Sequence, residues 1–358
     1  MRKVEFLYLQ QEDCIKAGGL EMKQTLKAVE RSFFLHGQND YIQPAKPVIR
    51  WGGPETEETT GRIMSMPAYL GGESFADELG SRELLGPVNT SGIKFIPSRP
   101  ENPSKHNLPR SNGIIIIVNP ETLMPACIMD GTLVSAMRTG AASGVAAKYL
   151  ANKDSQVMGM IGASVQGITQ TFAVEASVEN LKLCKVYDKN PKVVQRYLSK
   201  LRELGTSLEF EVAESHEEAI RDSDVLCTAT IARKPYVNAA WYKEGVLHCE
   251  VSFWDTPTQA LKDMDFIVVD DWHQVKHHGV DVSWRAVRDK VIPEEKIRGN
   301  LGDIITGKKQ GRAHKKEKIL FNPIGMGIHD LSEAFRVYKN AERLGIGRKL
   351  PLWEEPFL

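Results

Sequence analysis

The sequence predicts an α/β protein built on a Rossmann-type doubly wound sheet and preceded by an α+β region. From Gln156 onward, short apolar runs alternate with helical segments, the pattern of a parallel sheet with helices on both faces. The first of those runs feeds a small-residue turn and then a helix start. The first 130 residues show no such alternation.

In chain order, Phe6–Leu9 reads as a short strand and Met22–His36 as an amphipathic helix, with strand-like pieces at Gly92–Ile96 and Gly113–Val118. Leu133–Leu150 reads as a helical bridge whose small residues, among them Ala136, Gly140, Ala141 and Gly144, allow close packing. Strands are expected at Val157–Ile161, Leu183–Tyr187, Leu208–Val212, Val225–Thr230, Val246–Val251 and Phe266–Asp270. Helices at Gln166–Ser177, Pro191–Leu204 and His216–Asp222 separate the earlier ones. The basic stretch 307–318 reads as a solvated loop. Strand Ile319–Asn322, a Gly-rich turn and helix Asp330–Leu344 close the chain, with Asp330 read as the cap of that helix.

At 358 residues the chain is long enough for two domains. Lys plus Arg and Asp plus Glu balance at 46 each, so no whole-chain field draws it to nucleic acid or to an anionic membrane. Small molecules and copies of itself are the expected partners. The five cysteines have no C-x-x-C spacing and read as buried free thiols of a reducing compartment. With no apolar leader and no span-length apolar run, a cytoplasmic location is expected. His273 and the pair His277–His278 lack partners for a tetrahedral set, so no metal is expected.

The turn is the most informative local feature. Val157–Ile161 runs into Gly162-Ala-Ser-Val-Gln-Gly167, and the next strand ends on Asp188. This is a dinucleotide signature: the backbone approaches a pyrophosphate, the helix start offers free N–H groups, and an acidic residue accepts from a ribose hydroxyl. Ser164 stands where the second glycine falls. Gly162, Ser164, Val165, Gln166 and Asp188 are therefore the candidate cofactor residues, and Asp188 favours NAD over NADP by repelling a 2′-phosphate. Hydroxyls at strand or helix ends, those of Thr139, Thr228 and Thr230, are candidates for phosphate or ribose, with ordinary capping as the other reading. Ser252 and Asp255 follow a sheet strand, where ligands of such folds are met.

Pro125-Ala-Cys-Ile-Met-Asp-Gly-Thr-Leu-Val-Ser-Ala-Met-Arg-Thr-Gly-Ala141, the turn at Gly162 and Gly302-Asp-Ile-Ile-Thr-Gly-Lys308 resemble the ornithine cyclodeaminase/mu-crystallin family over nearly the whole chain. Gln43-Pro-Ala-Lys-Pro-Val-Ile-Arg50, Ser91-Gly-Ile-Lys94, Glu101-Asn-Pro-Ser-Lys105, Val269-Asp-Asp-Trp272 and Asn322-Pro-Ile-Gly-Met-Gly327 resemble its 2,3-diaminopropionate-forming branch. The resemblance implies a discontinuous α+β substrate and dimerisation domain, 1–132 with 319–358, around a central Rossmann NAD-binding domain, 133–318. It implies a homodimer. It also implies NAD-dependent oxidation of an N-substituted glutamate at the glutamyl Cα–N bond, with water splitting the imine. The family's ornithine cyclodeamination and ketimine reduction are the alternatives.

Such chemistry needs cations for carboxylates, a base and a hydride acceptor. Lys94 and Asp255 match the family's substrate-contacting lysine and catalytic aspartate. Arg138, in Met-Arg-Thr-Gly, suits a carboxylate or a cofactor phosphate. Lys46 stands where cyclodeaminases carry arginine, and with Arg50 and Arg110 it fits an amino-acid substrate bearing several carboxylates.

Overall fold

The computed structural model describes residues 3–52, 61–72 and 88–355. The chain forms two compact units, Met1–Arg138 with Met326–Leu358, and Thr139–Gly325. The chain passes from the first to the second inside one helix, Gly131–Leu150.

The first unit holds a mixed eight-stranded sheet. Its strands are β1 (Val4–Leu9), β2 (Tyr41–Ile42), β3 (Val48–Trp51), β4 (Gly61–Leu70), β5 (Thr90–Ser98), β6 (Ile114–Val118), β7 (Pro125–Asp130) and β16 (Arg348–Trp353). The order is β16-β1-β7-β6-β5-β4-β2, with β3 also paired to β4. All neighbours are antiparallel except β1 and β7. Helices Met22–Gln38 and Gly327–Leu344 pack together, and the second lies on β4, β5 and β6. Apolar residues at helical spacing, Leu26, Val29 and Phe33 on the first and Leu331, Ala334 and Val337 on the second, bury that face. Polar residues in the same layer pair locally: Arg31 Nη2 donates to Ser332 Oγ at 3.1 Å, and Arg336 pairs with the buried Glu333 at 2.6 Å.

The second unit holds eight parallel strands: β8 (Val157–Ile161), β9 (Leu183–Tyr187), β10 (Glu209–Val212), β11 (Val225–Thr228), β12 (Leu247–Glu250), β13 (Phe266–Val269), β14 (Ile297–Asn300) and β15 (Ile319–Phe321). Their order is β10-β9-β8-β11-β12-β15-β13-β14. The first five follow the dinucleotide-fold order, with the reversal between β8 and β11. β11, β12, β13 and β15 are buried at every position, and β13 and β15 accordingly read as unbroken apolar runs. Capping fixes the helix starts: Asn190 accepts from Lys192 N, Ser215 from Glu218 N and Asp271 from Gln274 N. Helix packing explains the small residues after Arg138. A Cβ on Gly140 would lie 2.3 Å from Thr169 O.

Three sequence expectations need correction. Ile319–Phe321, expected in the first domain, pairs between β12 and β13 in the second sheet, because its buried Ile-Leu-Phe run suits an interior parallel strand. The histidine-bearing segment, to which the sequence reading assigned no element, is the helix Trp272–His278, started by its Asp271 cap. The basic stretch is anchored rather than wholly solvated, since Arg312 donates through Nε to Leu150 O at 2.6 Å and through Nη1 to Glu317 O. Among the described residues, no helix is long and apolar enough to cross a membrane.

Candidate active site

The nucleotide turn lies at the sheet's reversal. Gly162 has φ +95°, a left-handed conformation suited to glycine, and a Cβ there would lie 2.6 Å from Ala229 O at the end of β11. Gly167 lets the helix Val165–Ser177 sit against the turn, for a Cβ there would fall 2.2 Å from Gly162 O. Ser164 is the N-cap residue of that helix and its side chain makes no capping bond. Ser164 and Val165 are exposed, so the 13-residue helix presents its N-terminus to a ligand. Buried Gln166 Oε1 has no partner among the described residues. Asp188 Oδ2 accepts from Ala163 N at 2.9 Å and Oδ1 from Asn190 N at 2.9 Å, tying β9 to the turn. A carboxylate has about four acceptor sites, so it retains capacity for a ribose hydroxyl. An absent second glycine therefore leaves the cradle intact, and the residues fit a dinucleotide.

Asp255 follows β12 and is 1% exposed. Thr230 Oγ1 donates to its Oδ1 at 2.6 Å, and Ser252 Oγ donates to its Oδ2. Its carbonyl accepts from the backbone N–H groups of Tyr236 and Val237. Thr230 and Ser252 thus serve the aspartate directly. Asp255 N in turn donates to Glu250 Oε1 at 2.7 Å, as does Thr256 N at 3.2 Å. Burial, with Asp255 nearby, pushes the Glu250 carboxyl up to about 8. Glu250 is a residue that sequence reasoning missed, because it reads there as one more polar position in a strand. Thr228 is corrected: its hydroxyl is buried against His248 Nε2 at 3.0 Å, turned inward. Thr139 contributes its carbonyl, which accepts from Gln170 Nε2.

The first unit supplies a second cluster. Asp330, expected as a cap, lies in the first turn of Gly327–Leu344, and its Oδ1 accepts from Lys94 Nζ at 2.8 Å and from Arg138 Nε at 2.9 Å. All three are buried, and Lys94 Nζ also donates to Ser135 Oγ at 3.2 Å. Asp330 Oδ2 has no partner among the described residues. Burial, then the Arg138 charge and more weakly that of Lys46, lowers Lys94 to about 7 against the pull of Asp330. His329, beside Asp330, is held neutral by burial and by the same cations. Two buried cations, Lys94 and Arg138, therefore share one carboxylate oxygen, with the charge of Lys46 near enough to act on Lys94. Asp330 was read only as a cap because an acidic residue in a first helical turn is also what the helix dipole favours.

Arg50 and Arg110 stand apart from that cluster and group instead with Arg62, which the sequence reading did not single out. Burial and the charges of Arg110 and Arg50 hold Arg62 below the usual guanidinium range.

A dinucleotide cradle with an acidic second-strand end, together with buried cations and carboxylates suited to an amino acid, defines an NAD-dependent amino-acid oxidoreductase. A match to the ornithine cyclodeaminase/mu-crystallin family spans residues 16–344, and the chain belongs to that family. It is 32% identical to the N-((2S)-2-amino-2-carboxyethyl)-L-glutamate dehydrogenase of Staphylococcus aureus, over 98% of this chain and 99% of that protein. The fold is similar to the Thermococcus litoralis Delta(1)-pyrroline-2-carboxylate reductase solved with NADH and L-proline, at TM-score 0.82 and 33% identity, covering 96% of this chain and 99% of that one. It is also similar to an archaeal alanine dehydrogenase dimer with bound NAD, at TM-score 0.81 and 32% identity over 98% and 100%.

Proposed function

We propose that the protein oxidatively cleaves N-(2-amino-2-carboxyethyl)-L-glutamate to L-2,3-diaminopropionate and 2-oxoglutarate with release of NADH, as a homodimer. The observation that carries this reading is the pair of buried cations in the first unit, Lys94 and Arg138, on the single carboxylate oxygen Asp330 Oδ1, whose Oδ2 has no partner among the described residues. Full-length similarity to the staphylococcal dehydrogenase supports it.

Lys94, Arg138 and Lys46 fix the glutamyl α-carboxylate, and Asp330 Oδ2 offers an acceptor to a substrate N–H. Bound NAD supplies the hydride acceptor for the glutamyl Cα–H. Asp255 takes the proton from the bridging nitrogen. The imine carbon then receives water positioned by Asp255, and the C–N bond breaks to give the free amine and the 2-oxo acid.

The deciding experiment is incubation with NAD and the glutamate conjugate, with L-ornithine and L-alanine in parallel, following NADH absorbance and products. Stoichiometric NADH and 2-oxoglutarate are expected from the conjugate alone. Ornithine converted to proline without NADH release assigns a cyclodeaminase instead, and NADH from alanine assigns an alanine dehydrogenase.

Cofactor choice gives a separate prediction. Asp188 holds a negative charge at the end of β9 while Lys189-Asn-Pro-Lys192 offers no arginine. NAD is expected to bind at least about tenfold tighter than NADP, equivalent to roughly 1.4 kcal/mol. Equal dissociation constants in fluorescence titrations of both would remove Asp188 from cofactor selection.

A further inference from the structure

On one face of the first sheet, Arg50 of β3 stands directly opposite Arg62 of β4, and Arg62 opposite Ser98 of β5. Like charges paired across strands are unfavourable. A third arginine, Arg110, lies close enough to disturb Arg62, because Arg99 N donates to Arg110 O and a bridge joins Ser98 to Ser111. None of Arg50, Arg62 and Arg110 has a carboxylate partner among the described residues, whereas the neighbouring Arg99 is paired with Glu101.

Arg62 and Arg110 line a cavity of about 100 Å³ together with Trp51, Ser98, Arg99 and Asn112 among others, and Arg50 stands beside it as the cross-strand neighbour of Arg62. The Trp51 indole packs against Gly61, where a Cβ would come within 2.5 Å of it, and lines the cavity. The cavity shares a face with Lys94: Met66 opposes Lys94 as Arg62 opposes Ser98, and residues four apart in a strand point the same way. The two positions are about 13 Å apart along the strand.

We propose that Arg50, Arg62 and Arg110 form an anion subsite for the carboxylate remote from the reacting carbon, so that they select polycarboxylate substrates over monocarboxylate amino acids such as alanine or ornithine. This rests on the function proposed above. Planar guanidinium groups suit the task, since each offers a fork of donors matched to a carboxylate.

The test compares the wild type with Arg62→Met and Arg62→Lys on three substrates: the glutamate conjugate, its 2-aminobutyrate analogue lacking the glutamyl side-chain carboxylate, and N-(2-aminoethyl)-L-glutamate lacking the other remote one. For the wild type, kcat/KM is expected to fall on the order of 30-fold on one of the two analogues, the loss of one charge-assisted contact. Arg62→Met should lose that discrimination, mainly through KM, and Arg62→Lys should recover part of it. A uniform decrease on all three substrates, or an unchanged preference, overturns the proposal. Calorimetric titration of glutarate and butyrate into the NAD-loaded protein separates the two readings. If the wild type turns over none of the three, an Arg62-dependent preference for glutarate upholds the subsite while the proposed reaction fails, and an equal affinity for both acids rejects the subsite.

Discussion

Asp330→Ala is expected to destabilise the first unit by about 3–5 kcal/mol, because it leaves buried cations without their counter-charge. The geometry is unusual in that one oxygen, Oδ1, serves both Lys94 Nζ and Arg138 Nε, with Lys94 and Asp330 at 1% and 0% exposure. Lys94 can respond by shedding its proton, since burial has already brought it to about 7, but a guanidinium cannot, and Arg138 would carry the cost. Denaturant unfolding measures the loss. Asp330→Asn keeps the shape and isolates the charge. With its favourable partner gone, Lys94 should titrate lower still. If its neutral form is the active one, kcat/KM of the wild type rises with pH through about 7, and in Asp330→Asn the rise moves to lower pH. A profile with no limb in that range, or one displaced upward, would remove Lys94 from proton transfer.

Asp255→Asn is expected to lower kcat by on the order of 10²-fold or more, with NAD affinity nearly unchanged. The substitution is conservative for the fold. Thr230 and Ser252 donate to the carboxylate, and their hydroxyls can rotate to accept from an amide instead. The backbone contacts that place the residue, its carbonyl to Tyr236 N and Val237 N and its N–H to Glu250 Oε1, do not involve the side chain. What disappears is the charge and the basic oxygen. Stopped-flow measurement of NADH formation, with a separate NAD titration, distinguishes the outcomes: normal kcat excludes the aspartate from the mechanism, and a parallel loss of NAD binding makes it a structural residue.

The central strands of the second sheet were legible because they are buried on both faces. Val225–Thr228 and Phe266–Val269 carry β-branched and apolar residues without interruption, and the expected strands differ from them by one or two residues at their ends. The first sheet was much less so. β4 carries Pro67 in its interior and little alternation, and β16 finds its partner β1 only through pairing of the two ends of the chain, as Leu7 with Lys349. Neither pairing leaves a local mark. Candidate residues followed the same division: Gly162, Ser164 and Asp188 lie within one βαβ unit and were found from spacing. Asp330 meets Lys94 across 236 positions, and Arg62 meets Arg50 only through strand register, so their association was invisible until the strands were aligned. Thr228 was misread for a related reason. A strand's end does not say which face its last side chain takes, and here His248 claims the hydroxyl.

All five cysteines are free and buried, Cys14 and Cys127 in the first unit and Cys184, Cys227 and Cys249 in the second. Burial pushes the thiols of Cys14 and Cys184 up to about 12, far from the thiolate form that reacts with alkylating reagents. The native chain therefore carries a silent label on each unit, and a thiol becomes modifiable when the segment around it opens. Modification rates at individual cysteines, read by peptide mass spectrometry across a denaturant series, would report the opening free energies of the two units separately in one unmodified protein.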